Sequence, residues 1–388
     1  MDYSYTNNNF GGLMKNDRKL GFGLMRLPLI DKNSDGSIDI ELTCKMVDYF
    51  LEHGFTYFDT AWMYCGFKSE DAVKNVLCSR HDRSEFTLAS KLHAGFIKTK
   101  EDRDRIFNEQ LRKTGAGYFD YYLIHDVGKD HYKIYKELEC FEWLSDKKKQ
   151  GLVKHIGFSF HDNAKVLDQV LSEHPEVEFV QLQINYLDWE NSAIQSRLCY
   201  ETAVKYGKPV IVMEPVKGGT LAKVPSCVED MFKDYDPSYS VPSWAIRFAA
   251  SLPGVAMVLS GMSDMNQLID NVGYMEKFKA LSEEENMMAL RAADMINSGI
   301  AVPCTGCSYC TEGCPKKIAI PKYFALYNAE MQESKDKDWT SQQGYYSRLT
   351  EDFGKASDCI NCKQCEKACP QHLHITDYLK MVAEQFEK

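Results

Sequence analysis

The stretch Tyr57-Phe58-Asp59-Thr60-Ala61-Trp62-Met63-Tyr64-Cys65 closes a short apolar run with a carboxylate and sets a phenol five positions further on. A run of this kind reads as a buried strand, and polar groups at the C-terminal ends of parallel strands are where such folds carry chemistry. Outward from it, between Leu20 and about Lys277, short apolar runs alternate with segments of helical period, which implies parallel strands joined by crossover helices. The strands are expected at Leu20–Arg26, Tyr57–Thr60, Phe86–Lys91, Tyr121–Ile124, His155–Phe160, Phe179–Ile184, Pro209–Met213 and Val255–Ser260. Leu42, Met46, Val47, Phe50 and Leu51 share one helical face between the first two, with Gly54 placed as a left-handed cap. Ser69, followed by Glu70 and Asp71, reads as a helix start with Ala72, Val73, Val76 and Leu77 facing inward.

Eight strand–helix units in roughly 260 residues fit an α/β fold of the closed (β/α)₈ TIM-barrel type. A doubly wound sheet would announce itself with a glycine-rich phosphate loop; Gly21-Phe22-Gly23 lies inside the first strand and has no third glycine. In a barrel the strand ends then line up Asp59, Lys91, His125, Ser159, Gln183 and Met213-Glu214, a concentration of polar groups that favours a site over isolated loop contacts.

The 388 residues include 44% hydrophobic ones, enough for a large core, and the net charge of −10 argues against a nucleic-acid partner. Lys147-Lys148-Lys149 is a solvated helix end. Neither a secretory apolar core near Met1 to Leu20 nor an uncharged run of about 20 residues is present, so a cytoplasmic protein without a membrane partner is expected. Of fourteen cysteines, eight fall in two regular groups; Cys44, Cys65, Cys78, Cys140, Cys199 and Cys227 are scattered and read as inert thiols.

Asp59, Tyr64, Lys91 and His125 form a coherent proton-transfer unit for a carbonyl. An ammonium beside a phenol stabilises the phenolate and lowers its pKa, a carboxylate holds that ammonium, and an imidazole fixes the carbonyl oxygen. Here the sequence resembles the aldo-keto reductases: Phe58-Asp59-Thr60-Ala61 with Tyr64, Ser90-Lys91, Tyr122-Leu123-Ile124-His125, Gln150 through Ser159, and Gln183-Ile184-Asn185-Tyr186 carry the likeness, which runs from about Leu20 to Tyr274. The resemblance implies reduction of a carbonyl, or oxidation of an alcohol, with NAD(P)H, Tyr64 being the proton donor and a small molecule the substrate. It assigns the cofactor to Ser159, Gln183, Met213, Gln267 and Asn271. Departures fall in that same site. Ser159-Phe160-His161 stands in place of Ser-Asn, Met213 in place of an aromatic ring, and the Lys and Arg of NADPH-selective members are missing around Ser260-Gly261-Met262-Ser263. A strong preference for the phosphorylated cofactor is therefore not expected.

Ser282 and Glu285 form a capping box, opening a helix expected to reach Gly299. About 16 residues span roughly 24 Å, enough to return the chain from the bottom of a barrel to its catalytic face. The segment beyond Pro303 is thus expected near the mouth of the site. It carries Cys304, Cys307, Cys310 and Cys314-Pro315, then Cys359, Cys362, Cys365 and Cys369-Pro370. Both runs follow the C-x₂-C-x₂-C-x₃-C-P spacing of bacterial two-cluster ferredoxins, in which the fourth cysteine of each run serves the other cluster. One [4Fe–4S] cluster would take Cys304, Cys307, Cys310 and Cys369, the other Cys359, Cys362, Cys365 and Cys314; zinc is the alternative, disfavoured by the paired prolines. Residues 321–354 are expected to form a helix and loop packing on the barrel.

The organisation expected is therefore a barrel over 1–280, a connecting helix over 281–299, and a small α-helical, ferredoxin-like iron–sulfur domain over 300–388. Two functions follow: an oxidoreductase whose carbonyl chemistry is coupled to two clusters for electron transfer, or a non-enzymatic iron–sulfur redox sensor or electron carrier on a barrel scaffold. A hydride moves two electrons and each cluster one, so either a flavin or a similar mediator joins the halves, or the clusters serve a redox protein partner or the structure. No flavin motif is readable.

Overall fold

The computed structural model describes residues 13–30, 37–298, 301–304, 306–332, 339–369 and 371–387. Eight parallel strands, β1 (Leu20–Gly23), β2 (Tyr57–Asp59), β3 (Thr87–His93), β4 (Phe119–Val127), β5 (Val153–Phe160), β6 (Phe179–Gln183), β7 (Val210–Met213) and β8 (Val255–Ser260), pair in order, and β1 also pairs with β8 to close the barrel. Each expected strand is present. β1 stops at Gly23 and turns through a 3₁₀ segment at Leu24–Arg26, while β3 and β4 run past the expected ends to His93 and Val127. Lys91, expected to close β3, and His125, expected just after β4, consequently lie inside their strands.

Alternation along the strands sorts the side chains into two layers. Outward residues such as Phe22, Phe58, Leu88, Tyr122, Phe158 and Val212 pack under the surrounding helices. Inward residues Tyr57, Ala89, Tyr121, Leu123, Phe179, Ile211, Met257 and Leu259 plug the barrel, with Leu13 beneath them. Space inside is tight: a Cβ on Gly21 would meet Leu259 Cδ2 at 2.7 Å, so glycine is required there by packing alone. The same alternation carried two residues further places Asp59, Lys91, His125, Gln181 and Met213 above this plug. The site is the top layer of the barrel interior.

Helix Ile40–Glu52 buries Met46, Val47 and Phe50, is capped by Asp39 accepting from Leu42 N at 2.9 Å, and ends with Gly54 at φ 80°. Ser69 does not cap its helix. Its buried hydroxyl instead donates to Leu24 O at 2.9 Å and bonds Thr60 Oγ1 at 2.8 Å, tying the turn after β2 to the end of β1. The capping box at Ser282 is present, with Glu285 N donating to Ser282 Oγ at 3.1 Å and Ser282 N to Glu285 Oε2 at 2.8 Å. That helix spans Glu283–Asn297; its expected end at Gly299 lies outside the described residues.

The C-terminal part has its own core, in which Ile320, Tyr323, Phe324, Leu326, Leu379 and Val382 are buried among helices Ile320–Met331, Ser341–Asp352 and Ile375–Phe386. Ala193 and Ile194, from the loop after β6, belong to that core. Arg348 donates to His161 O at 2.5 Å, and Tyr345 stands edge-on to the His161 ring at 6.1 Å. Loops at the C-terminal ends of the strands therefore carry the cluster-bearing segment, as the helix-length argument anticipates.

Candidate active site

Asp59 and Lys91 face each other across neighbouring strands. Lys91 Nζ lies 2.5 Å from Asp59 Oδ1 and 2.8 Å from Thr60 O, and both residues are buried. Burial acts downward on the Lys91 pKa, but the Asp59 carboxylate and the Tyr64 phenol together outweigh it and hold the ammonium above its ordinary range. Gln181 Nε2, one strand layer below Gln183, approaches Asp59 Oδ2 at 3.4 Å.

Tyr64 is carried back over this pair by a turn in which Cys65 and Gly66 adopt left-handed conformations, φ 52° and 61°. Lys91 Nζ is 4.8 Å from the centre of its ring, and His125 meets that ring edge-on at 6.0 Å. Burial pushes the Tyr64 phenol up; the Lys91 charge pulls it down but is the smaller effect, so Tyr64 stays protonated, the state a proton donor needs. His125 is driven well below its usual range by burial, then by Lys91 and His93. A neutral imidazole results. Tyr135 fixes its backbone, donating to His125 O at 2.5 Å and accepting from Ala94 N at 2.7 Å.

Beside these residues opens a cavity of about 560 Å³ lined by Asp59, Tyr64, Gln181 and Met213, by the loop after β7, and by Ser260, Gln267 and Asn271. Three of the five residues expected to hold the cofactor, Met213, Gln267 and Asn271, line it. Asn271 Nδ2 donates to Ser260 Oγ at 2.9 Å, and Gln267 is held by Ser263 N and Asp264 at 2.9 Å each. Ser159 and Gln183 stand outside this lining: Ser159 Oγ accepts from Asp126 N at 2.8 Å, and Gln183 Nε2 donates to Asp188 Oδ2 at 3.0 Å. Arg26, Gln181 and Asp270 line the cavity without having been singled out from the sequence. For Gln181 a signal existed, since it shares the inward face of β6 with Gln183.

The β7 loop is held by a buried ion pair. Lys217 Nζ lies 2.6 Å from Asp188 Oδ1, and Asp188 also accepts from Asn185 Nδ2 at 2.9 Å. Lys217, Gly218 and Gly219 all have positive φ, so the chain curls at the cavity wall, and space beyond Gly219 is open.

In the C-terminal part, two cavities each gather four cysteines. One is lined by Cys304, Cys307, Cys310 and Cys369, with Phe324, Leu373 and Ile375; the other by Cys314, Cys359, Cys362 and Cys365, with Ile318 and Leu379. Four convergent sulfurs inside an apolar shell are a donor set that fits a [4Fe–4S] cluster in each. Each fourth cysteine sits with the other run, the exchange the sequence spacing implies. Pro370 lies outside the described residues.

The family model for the aldo/keto reductase family matches residues 19–292, and that for a 4Fe-4S dicluster domain matches residues 303–374. Among curated proteins, the chain is 23% identical over 300 residues to the uncharacterized oxidoreductase YqkF of Bacillus subtilis, covering 69% of this chain and 90% of that protein. It is 26% identical over 169 residues to the aldo-keto reductase AKR2E4 of Bombyx mori, covering 40% of this chain and only 51% of the length of that relative. Among solved structures, the holo form of aldo-keto reductase AKR11C1 from Bacillus halodurans superposes with a TM-score of 0.55 at 20% identity, over 71% of this chain and 91% of that one. An aldo-keto reductase from Klebsiella pneumoniae in complex with NADPH gives 0.54 at 17%, over 72% and 90%. At those identities the structures speak for the fold. No helix among the described residues is long and apolar enough to cross a membrane. With the closed barrel and the family model covering the same strands, this chain belongs to the aldo/keto reductase family as an oxidoreductase, and carries a 4Fe-4S dicluster domain behind its barrel.

Proposed function

We propose that the chain interconverts a small-molecule carbonyl and its alcohol with a nicotinamide cofactor held in the cavity beside β7 and β8, Tyr64 exchanging the proton at the carbonyl oxygen. The observation that supports this best is the convergence of Tyr64, the buried Lys91–Asp59 pair and a neutral His125 at the edge of that cavity. A bound nicotinamide supplies or accepts the hydride. The chain's own residues do the rest: Tyr64 Oη–H donates to the carbonyl oxygen, Lys91 stabilises the phenolate left behind, Asp59 keeps Lys91 charged and placed, and His125 donates to the same oxygen. Arg26 is the one guanidinium among the lining residues, which also include the carboxylate of Asp270, a balance that supports use of NADH as well as NADPH.

The two cysteine sets are assigned to two [4Fe–4S] clusters that exchange single electrons with a redox protein partner. Cys307 and Cys362 are exposed, as are Tyr309 and Ile360 next to the ligands, which gives a partner access to both sites.

Anaerobic, cluster-loaded protein assayed with NADH and NADPH against a panel of aldehydes, ketones and quinones tests the reading. Turnover with at least one carbonyl and a loss of about 100-fold or more in kcat for Tyr64→Phe are expected. Full turnover by Tyr64→Phe, or oxidation of neither dinucleotide by wild type, would overturn it.

A further inference from the structure

The two cysteine cavities differ in what surrounds them. Among the described residues, the cavity of Cys304, Cys307, Cys310 and Cys369 is lined by no charged side chain; Ser308 and Gln371 are its other polar members, and the short helix that carries Cys310 ends on an exposed carboxylate, Glu312. The cavity of Cys314, Cys359, Cys362 and Cys365 is lined by Lys316 and Lys363 and by no carboxylate. Beside Cys359 a groove of about 280 Å³ opens between Ser357, Asn361, Thr376, Lys380 and Glu384. Three of the four charged residues around these two openings are lysines, on a chain whose net charge is −10.

These lysines face solvent. Lys363 Nζ lies 3.8 Å from Glu366 Oε2 and Lys380 Nζ 3.0 Å from Asp377 Oδ1, yet the two lysine side chains are 56% and 64% exposed, and ion pairs so placed rearrange at little cost. Lys316 and Lys317, just after Cys314, and Lys367, on the helix that carries Cys365, are exposed as well. Ile360 stands among them, 59% exposed. Lys363 follows Cys362 at φ 58°, in the left-handed region that favours glycine, and Ser308 occupies the same place after Cys307 at φ 66°. One run presents a small neutral side chain where the other presents an ammonium. Balancing the charge of a bound cluster would call for lysines at both cavities; they stand at one.

We infer that the face around Cys359, Cys362 and Lys363 is the docking surface for an acidic one-electron carrier protein, and that electrons enter or leave the chain there rather than at the Cys304 site. Ile360 supplies an apolar centre and the lysines a charged rim, the arrangement by which opposite charges steer two proteins together and a small dry contact holds them. At each encounter one electron crosses, the carrier losing what the chain gains, or the reverse. Ile320 lines both cavities, so the other site is one side chain away.

This inference rests on the cysteine sets holding redox-active clusters, and its test separates the two. Full-length, cluster-loaded wild type is compared anaerobically with Lys316→Glu/Lys363→Glu/Lys380→Glu, with Lys380→Glu alone, and with Glu312→Lys at the other site. Binding of flavodoxin, an acidic flavin carrier, is measured by titration calorimetry and its electron exchange by stopped-flow absorbance; cytochrome c, which is basic, is the opposite-charge probe. Wild type is expected to bind flavodoxin with an affinity that falls about 10-fold or more between about 50 and 500 mM salt. The triple variant loses about 10-fold or more in affinity and in second-order rate, Lys380→Glu about 3-fold and Glu312→Lys neither, while cytochrome c reacts faster with the triple variant. Lys380 lies outside the cysteine cavity, so its variant still reports if the triple variant holds less iron. No flavodoxin binding by wild type, or equal affinity in wild type and Lys380→Glu, or a loss confined to Glu312→Lys, overturns the inference. Iron that dithionite does not reduce and neither carrier reoxidises overturns the electron-transfer reading, and salt-sensitive binding lost with the lysines would sustain the docking face even then.

Discussion

Lys91 Nζ sits 2.5 Å from Asp59 Oδ1 with side-chain exposures of 0% and 4%, and Thr60 O accepts from the same ammonium at 2.8 Å. Removing one charge from such a pair strands the other. Lys91→Met is expected to destabilise the fold by about 3–5 kcal/mol, and Lys91→Met with Asp59→Asn by less, because no buried charge is then left alone. Both variants should lose carbonyl turnover. Thermal unfolding and steady-state rates check this; a single variant as stable as wild type would contradict it.

Cys369 shares its cavity with Cys304, Cys307 and Cys310 although it belongs to the second run. Cys369→Ser is expected to lower iron from roughly eight to roughly four atoms per chain and to leave the Cys314, Cys359, Cys362 and Cys365 site loaded. Iron and sulfide analysis decides it. Loss of the other site instead would mean that each run serves its own cluster.

Lys217 and Asp188 are each 1% exposed in their side chains, and they hold the loop that walls the cavity proposed for the cofactor. Lys217→Met leaves the buried Asp188 carboxylate with only Asn185 Nδ2 and Gln183 Nε2 as donors among the described residues, an expected loss of about 3–5 kcal/mol. Since the loop rather than the proton-transfer groups is disturbed, the KM for dinucleotide should rise several-fold while the effect of Tyr64→Phe persists in the double variant. An unchanged KM would separate this pair from the cofactor site.

Burial holds His161 down to about 4. In the unfolded chain the imidazole takes up its proton near pH 6.5, whereas the folded protein resists until about 4, so stability falls as pH drops through that window. Between pH 6.5 and 5.5 the loss attributable to His161 is about 1 kcal/mol. Chemical unfolding of wild type and His161→Gln at the two pH values tests it: the variant should lose less stability on acidification, and equal losses would rule out the assignment.

Much of the site was legible because a barrel repeats one local rule. Asp59, Lys91, His125 and Met213 fall on inward positions at the ends of apolar runs, and the period of two along a strand decides which face they take. Strand limits were less legible: β3 and β4 run on through polar residues, Lys91 to His93 and His125 to Val127, because pairing with neighbouring strands outweighs local composition. Ser69 reads locally as a helix cap, but a carbonyl 45 residues away at Leu24 claims its hydroxyl.

By itself, then, the sequence determined the elements that rest on local periodicity and spacing: the eight strands, the inward carboxylate, ammonium and phenol, and the two cysteine runs. Tertiary structure alone decided what depends on contacts between distant segments. Arg348 meets Asp130 across 218 residues and Asp126 across 222; the sequence places its segment against the barrel but singles out neither Arg348 nor the carboxylates it meets. A buried guanidinium is stable only where carboxylates and carbonyls converge from several elements, and that convergence exists only once the chain has folded.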